Sequence, residues 1–320
     1  MKSVYIHLIS TVMSLLPILS LAQEDLDKLV QLDSGRNDKV SSTFKSGVLI
    51  NMNTTEMLHK KELDFRVDHR FGDIAGTAGG PKNFFGLDNS TDIRIGFEYG
   101  VSDRINVGIA RAKGSTAVSQ LYEASLKYRF LEQTLDDRIP VSLGFFGSGI
   151  ISAAGASQEK GSPISFQDFS HRITYLSQLI LARKFSSYLS LVIAPTYVHR
   201  NFTAYGDQNS LFSIVMGGRL KLTKRMSLIA DYFLPLRTSS KKKYMETTWN
   251  NNYFNALGIG LEMETGGHVF SLNFTNAKAI QLSQIITETN SSWTKGQFRW
   301  GFGISRRFSF DKKAKEPEAY

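Results

Sequence analysis

One stretch of the sequence alternates an apolar or aromatic residue with a charged residue at every step, and it runs Leu63-Asp64-Phe65-Arg66-Val67-Asp68-His69-Arg70-Phe71. Successive side chains of a strand point to opposite faces, so this strand is apolar on one face and ionic on the other. The pattern recurs along the chain with polar segments between the repeats. Such recurrence is typical of a closed, antiparallel transmembrane β-barrel, an all-β fold.

Twelve segments carry enough alternation to be predicted as strands of the barrel. Most are about 9 to 13 residues long, which is near the length that a tilted strand needs to cross a bilayer. The predicted strands are Glu62–Gly72, Thr91–Val101, Ile105–Lys113, Leu121–Leu131, Val141–Ser152, Phe169–Arg183, Leu189–Asn201, Leu211–Leu222, Ser227–Pro235, Tyr253–Met263, His268–Thr275 and Phe298–Phe310.

The connections between these strands alternate between a short and a long class. Outer-membrane barrels have short periplasmic turns and longer external loops, so the alternation also predicts an orientation. The long connections are 73–90, 153–168, 203–210, 236–252 and 276–297. We therefore expect these five loops outside the cell and the short turns in the periplasm.

The N-terminus has the features of a signal peptide. Lys2 precedes an apolar run from Val4 to Leu21, and the small residues Ser20 and Ala22 form a cleavage site. A membrane anchor is the alternative, but polar residues interrupt the run. We predict cleavage after Ala22, export by the general secretory route and insertion into the outer membrane of a Gram-negative bacterium.

The mature chain then divides into a lead-in (23–61), the barrel (62–310) and a polar periplasmic tail (311–320). Val40–Asn51 also resembles a strand, but a thirteenth strand would put the termini on opposite sides of the membrane. Twelve strands are favoured, with Val40–Asn51 as a periplasmic, luminal or edge segment that could plug the barrel. Fourteen strands are the alternative, in which Ile280–Glu288 also spans.

Composition excludes several other classes of protein. The chain has no cysteine, so disulfides and thiolate metal sites are absent. Its net charge of +9 comes from basic residues that are interleaved with acids, which does not indicate nucleic-acid binding. Lys241-Lys242-Lys243 is the one basic run, and it is either a solvated loop or a contact for anionic lipid or polysaccharide.

The sequence also resembles the Bacteroidota-type membrane-bound β-barrel proteins of unknown function. The resemblance implies an outer-membrane barrel and no established activity, so no catalytic residue follows from it. It is carried by Thr43-Phe44-Lys45, Leu63-Asp64-Phe65, His69-Arg70-Phe71-Gly72, Asn83-Phe84-Phe85-Gly86-Leu87-Asp88, Glu98-Tyr99-Gly100, Lys127-Tyr128-Arg129, Ala182-Arg183-Lys184-Phe185, His199-Arg200-Asn201, Glu264-Thr265-Gly266-Gly267-His268-Val269-Phe270 and Gly301-Phe302-Gly303-Ile304-Ser305-Arg306.

If the apolar parity of each strand faces lipid, the charged parity lines the lumen. Both signs occur there, so the lumen is either a wet pore or a barrel sealed by ion pairs. Arg172 and Arg200 lie on neighbouring strands and should form a basic patch near the external mouth. The candidate solute contacts are Arg70, Arg172 and Arg200 at the mouth, and Asp64, Arg66, Asp68, Arg94 and Glu98 lower down.

Four histidines, His69, His171, His199 and His268, fall on the apolar parity at strand ends. An amphipathic ring suits the membrane interface, so we predict that they lie there. A metal or haem site built from His171 and His199 would need further ligands that the pattern does not supply. No metal or other cofactor is predicted.

The leading hypothesis is a channel-like or solute-binding outer-membrane barrel that contacts lipid and lipopolysaccharide and takes a small polar or anionic solute. A closed barrel that acts through the loops Asn83–Asp88 and Leu236–Asn252 is the first alternative. A lipid hydrolase is the second, but the sequence has no nucleophile elbow and no serine and histidine in the required arrangement. We therefore predict a protein that is not an enzyme and assign no catalytic residue.

Overall fold

Twelve antiparallel strands close into one barrel in the computed structural model, which describes residues 39–40 and 42–310. Each strand pairs with its neighbours along the chain, and β1 pairs with β12 to close the ring. The strands are β1 (Glu62–Asp73), β2 (Ser90–Ser102), β3 (Ile105–Ala112), β4 (Leu121–Leu131), β5 (Ser142–Ser152), β6 (Ile173–Lys184), β7 (Leu189–Arg200), β8 (Ser210–Lys221), β9 (Met226–Pro235), β10 (Leu257–Thr265), β11 (His268–Thr275) and β12 (Arg299–Ser309). The predicted fold class and the favoured strand count are confirmed.

Few helices accompany the strands. They are α1 (Ser239–Trp249), α2 (Leu282–Glu288) and three 3-10 segments, Pro81–Gly86, Phe169–Arg172 and Trp293–Lys295. None of the helices in the described part of the chain is both long and apolar enough to span a membrane. The predicted signal peptide (1–22), residues 23–38 and 41 of the lead-in, and the predicted tail (311–320) lie outside the described residues.

The alternating segment from Leu63 to Phe71 forms most of β1. Its charged side chains point inward, where Arg66, Asp68 and Arg70 are buried, while the apolar residues between them are more exposed. Elsewhere the outward face is a belt of exposed apolar side chains that includes Ile95, Phe97, Ile109, Leu179 and Ile193. This is the face that a barrel presents to lipid.

Short and long connections lie at opposite ends of the barrel, because every strand is antiparallel to the next. We call one end the short-turn end and the other the long-loop end. Lys39 and Lys61, on either side of the segment that enters the lumen, both lie at the short-turn end. The long loop 276–298 turns back into the barrel at the long-loop end, where α2 is buried.

Two predicted strands begin four residues later than expected. The tenth begins at Leu257 rather than Tyr253, because Tyr253 is drawn into a loop cluster by a hydrogen bond to Asp207. The sixth begins at Ile173, and Phe169–Arg172 is a 3-10 turn, because β5 ends at Ser152 and offers no further pairing partner.

The two segments that could have raised the strand count are not strands. Ile280–Glu288 is largely the helix α2, and Val40–Asn51 is an irregular segment inside the barrel. A closed barrel leaves no unpaired edge, so neither segment has a strand to join. The fourteen-strand alternative is therefore wrong.

Candidate functional site in the barrel lumen

Residues 42–58 lie inside the barrel, and we call this segment the plug. It enters from the short-turn end, where Lys39 bridges Thr134. The chain reverses at a tight turn closed by the Leu49 N–H, which donates to the Met52 carbonyl at 3.0 Å. Leu49 and Met52 are only 2% and 0% exposed, so the tip of the plug is enclosed by the wall.

One side of the lumen wall, formed by the inward faces of β5 to β9, is apolar. Phe44, Leu49, Ile50 and Met52 of the plug belong to one buried apolar cluster with this wall. The wall residues in that cluster include Phe146, Ile150, Leu176, Ile180, Val192, Val198, Val215, Ile229 and Phe233. The plug therefore covers side chains that would otherwise face water in an open lumen.

This apolar wall corrects the assignment of every apolar residue to lipid. In β6 and β7 both faces are apolar, because one contacts lipid and the other contacts the plug. The sequence carried a signal of this: from Leu189 to Val198 apolar residues occur on both parities, a pattern typical of strands that are buried on both faces.

A polar latch holds the tip of the plug. The Asp231 carboxylate on β9 accepts hydrogen bonds from the backbone N–H of Asn51 at 2.6 Å and of Met52 at 3.2 Å, and from the Asn51 amide at 3.1 Å. From β1, Arg70 donates to the Asn51 side-chain oxygen and, at 2.6 Å, to Asn273 on β11. We call Asn51, Arg70, Asp231 and Asn273 the latch.

Inward glycines make room for the plug. A Cβ atom at Gly217 would overlap the sulfur of Met52 and would lie 2.9 Å from a methyl group of Leu49. At Gly100 the Cβ would overlap the backbone carbonyl of His59, where the plug joins β1. The absence of side chains at these positions lets the plug pack directly on the wall backbone.

The other side of the wall, formed by β1 to β4, is charged. Arg66 pairs with Asp68 at 2.9 Å and Arg94 pairs with Glu123 at 2.6 Å. Lys127 donates to the Glu56 carbonyl of the plug at 2.7 Å. These contacts leave most charges on this wall paired or hydrogen-bonded, as buried charges require.

Within the described chain, two carboxylates on the charged wall have no ion-pair partner. Asp64 and Glu98 face each other in register on β1 and β2. Neither carboxylate has an ion-pair partner within 4.0 Å in the described part of the chain, and the Asp64 Oδ1 atom accepts no hydrogen bond there. The Glu98 carboxylate accepts a hydrogen bond from Asn106 at 2.5 Å.

Two cavities lie along this charged side, and a third lies beyond the strands at the long-loop end. A cavity of about 430 Å³ opens at the short-turn end beside Asp103, Arg129 and Arg307. A cavity of about 50 Å³ follows, between the plug and a wall patch that contains Asp64, Arg66, Arg94 and Glu98. The third, about 250 Å³, lies at the long-loop end between the β3–β4 connection and the loop 276–298.

A cluster of ion pairs ties the loops together at the long-loop end. Arg200 pairs with Asp207 at 2.9 Å and lies 3.7 Å from Glu288 of α2. Arg237 also pairs with Asp207, and its guanidinium stacks 3.7 Å above the ring of Tyr253. We call these five residues the loop cluster.

The loop cluster sets the protonation of its two acids in opposite directions. Burial raises the pKa of Asp207, but the charges of Arg200 and Arg237 outweigh burial and hold the pKa below its ordinary value. For Glu288 burial dominates over the more distant Arg200, and the pKa is raised. Asp207 is therefore the anionic centre of the cluster at neutral pH.

The three arginines predicted at the mouth are held by protein groups. Arg70 belongs to the latch and Arg200 to the loop cluster. Arg172 donates to the carbonyls of Ser152 at 3.1 Å and Ala154 at 2.6 Å. Arg172 and Arg200 do line one small cavity, as their predicted proximity requires.

The predicted lower contacts lie together on the charged wall. Asp64, Arg66, Arg94 and Glu98 line the cavity of about 50 Å³, and Asp68 pairs with Arg66 beside it. Sequence reasoning did not identify the latch partner Asp231. It also missed Arg237 and Asp207, which lie in loops without periodicity.

The four histidines do not form one site. His69 stacks on Phe302 with ring centroids 5.4 Å apart, His268 stacks on Phe270 at 5.8 Å, and His199 lies 2.8 Å from the Ser210 hydroxyl. Their placement at a membrane interface stays a prediction. His171 lies in the 3-10 turn rather than on a strand and stacks on Phe202 at 4.8 Å. The described residues include no cluster of three or more metal-ligating side chains.

Comparison with known families shows which family the chain belongs to. The model of the membrane bound beta barrel domain family (DUF5777) matches residues 44–308, which include residues 44–58 of the plug and every strand residue of the barrel except Ser309. This protein belongs to that family. The resemblance seen in the sequence is thereby confirmed, and a search of curated proteins finds no match.

Solved structures with a similar fold are outer-membrane barrels. The KdgM porin is 8% identical, with a TM-score of 0.44 over 78% of this chain and 99% of its own. The NanC porin is 11% identical, with a TM-score of 0.47 over 76% and 98%. An outer-membrane channel from Pseudomonas putida F1 is 11% identical, with a TM-score of 0.46 over 79% and 98%. Similarity at this level says nothing about a solute.

Proposed function

We propose that this protein is a channel-type barrel of the outer membrane that is closed at rest by its plug. Its long loops face outward and its short turns face the periplasm, as the loop lengths favour. The observation that carries the proposal is the course of the cavities. Two of them follow the charged wall and the third lies at the long-loop end beside the β3–β4 connection, so a polar path exists in outline and is interrupted by the plug and the latch.

The closed resting state follows from the apolar wall. An open lumen would expose the inward side chains of β5 to β9 to water, at about 25 cal/mol for each Å² of apolar surface. The plug removes that cost by covering the apolar side. A passage would need the latch to release the tip of the plug, while the rest of the plug stays packed on the apolar side.

A small polar solute suits such a path. The carboxylates of Asp64 and Glu98, which have no ion-pair partner among the described residues, line the narrow middle cavity, and they are the solute contacts that we propose. Arg70, Arg172 and Arg200 are proposed instead to hold the plug and the loops, because each is bonded to protein groups.

Planar-bilayer recordings test the closed state. The wild-type protein should show no steady conductance. Asp231→Asn removes the charge that binds the plug tip and should make opening bursts about tenfold or more frequent, because charge-assisted hydrogen bonds contribute about 1.5–3 kcal/mol. Asp137→Asn changes a carboxylate in a short-turn-end connection and is the matched control, expected to stay silent.

Steady large conductance of the wild type would overturn the closed state. If the Asp231→Asn barrel shows no conductance although its plug is released, the proposal of a passage through the lumen is wrong. That second result would favour a permanently closed barrel that acts through its loops. The packing of the plug on the apolar wall is the observation in favour of that second candidate.

We also infer that the protein is not an enzyme. Most charged side chains in the lumen are engaged in ion pairs. Among the described residues of the lumen we find no nucleophile together with a base and an orienting group. Phospholipid or lipid A turnover by the purified protein above a no-protein control would contradict this inference.

A further inference from the structure

The cavity of about 250 Å³ at the long-loop end has features of a built polar site. On one side it is lined by Ser115 and Thr116 of the connection between β3 and β4, and on the other by Gln284 and Glu288 of α2. It is smaller than the pockets of roughly 300–1,000 Å³ that take drug-sized ligands. A ligand of this cavity is therefore a single small molecule.

Two buried polar atoms at this cavity have no hydrogen-bond partner in the described part of the chain. They are the Ser115 hydroxyl and the side-chain oxygen of Gln284, a residue that is only 3% exposed. The Gln284 amide nitrogen is fixed by donating to Thr116 Oγ1 and to the Val118 carbonyl, each at 2.7 Å. The orientation of the amide is thus set, and its oxygen is left to accept from something else.

The unused groups specify the chemistry of the ligand. The Gln284 oxygen is an unused acceptor, so a ligand must donate a hydrogen bond to it. The Glu288 carboxylate, which already accepts from the Gln284 amide at 3.3 Å and lies 3.7 Å from Arg200, can accept one more. Ser115 can donate or accept, and Lys278, which also lines the cavity, can only donate. An ionised carboxylate has no donor and therefore cannot satisfy the Gln284 oxygen. Hydroxyl groups, which donate and accept, satisfy all four.

We propose that this cavity binds a small polyhydroxylated solute, namely a monosaccharide. The inference deepens the proposed function by naming the solute class, and it rests on that function only for the view that the cavity lies on a solute path. No aromatic ring is among the residues that line the cavity, so binding depends on hydrogen bonds and has a dissociation constant in roughly the millimolar range.

Saturation-transfer NMR on the full chain in detergent micelles tests the site with D-glucose, D-galactose and N-acetyl-D-glucosamine. At least one sugar should give a saturable signal. Ser115→Ala removes a hydroxyl that has no protein partner, so the barrel should fold normally and affinity should fall roughly threefold to tenfold, the effect of one hydrogen bond. Ala117→Trp should fill the cavity and abolish the signal.

Ser148→Ala is the matched control, because it removes another unpartnered buried hydroxyl from the lumen, on β5 away from this cavity. It should leave sugar binding unchanged. No saturable signal from any of the three sugars would overturn the proposal and leave the cavity to ordered water. Binding that is equally strong in Ser115→Ala and Ala117→Trp would also overturn it, by placing the sugar elsewhere. Because binding is measured without transport, a silent bilayer would count against the passage and not against this site.

Discussion

At the scale of single residues, the lumen is organised by a few long-range polar contacts. Asn51 and Asp231 are 180 positions apart in the chain, yet the carboxylate of Asp231 accepts two backbone hydrogen bonds from the plug tip. Arg70 on β1 completes the arrangement. A single asparagine therefore joins the plug to two strands that are not neighbours, β1 and β9.

Replacing Asn51 by Ala should destabilise the plug. The variant leaves Arg70 and Asp231 each with one partner fewer, at about 1–3 kcal/mol for each buried group left unpaired. Hydrogen exchange of the plug amides should become faster in Asn51→Ala than in wild type. Asn89→Ala, in an exposed loop position, is the control. Equal protection of the plug in wild type and Asn51→Ala would contradict the role of the latch.

The loop cluster should resist mild acid. Since Asp207 has a lowered pKa in the folded protein, its stabilising contribution is present above the ordinary pKa of an aspartate and is lost only as pH falls through the lowered value. The raised pKa of Glu288 acts in the opposite sense, and its contribution is lost as pH rises.

We therefore expect hydrogen exchange in loops 201–209 and 236–256, corrected for its intrinsic pH dependence, to stay slow from pH 7 to about pH 5. Asp207→Asn should loosen both loops at pH 7, whereas Glu288→Gln should not. Loosening of the wild type near pH 6, or no effect of Asp207→Asn, would show that Asp207 is not the centre of the cluster.

At the scale of elements, the barrel is largely predictable and its contents are not. The two faces of each strand meet different surroundings, lipid and lumen, so the alternation that predicts a strand lies within its own sequence. All twelve strands are predicted for this reason. The plug lacks periodicity, because it packs as an irregular chain on glycines and apolar side chains of distant strands. Its contacts with Gly217 and Asp231 could not be read from residues 42–58 alone.

The glycine surface of the wall gives a prediction for the plug as an element. Gly217→Val should displace the plug tip while the barrel still closes, because the new side chain needs the space that Met52 and Leu49 occupy. Protease cleavage within residues 42–58 should become faster, and the strand content from circular dichroism should stay the same. Gly149→Val is the control, since a Cβ there meets nothing within 4 Å.

At the scale of the whole molecule, the barrel has two unlike halves. The inward faces of β5 to β9 and the plug form an apolar core like that of a soluble protein, while β1 to β4 present paired charges and small cavities. The family match establishes a membrane barrel, and the unequal halves explain why a closed lumen and a polar path can occur in one fold.

The central claim is that the plug fills the lumen of the assembled barrel, and labelling of a single cysteine tests it most directly. The chain has no cysteine of its own, so Met52→Cys introduces a unique reporter at a position that is 0% exposed. In the folded barrel, a hydrophilic maleimide should label the Met52→Cys variant at least tenfold more slowly than the Lys60→Cys variant. In denaturant the labelling rates of the two variants should become equal. Labelling of the folded Met52→Cys barrel as fast as Lys60→Cys would show that the lumen is open.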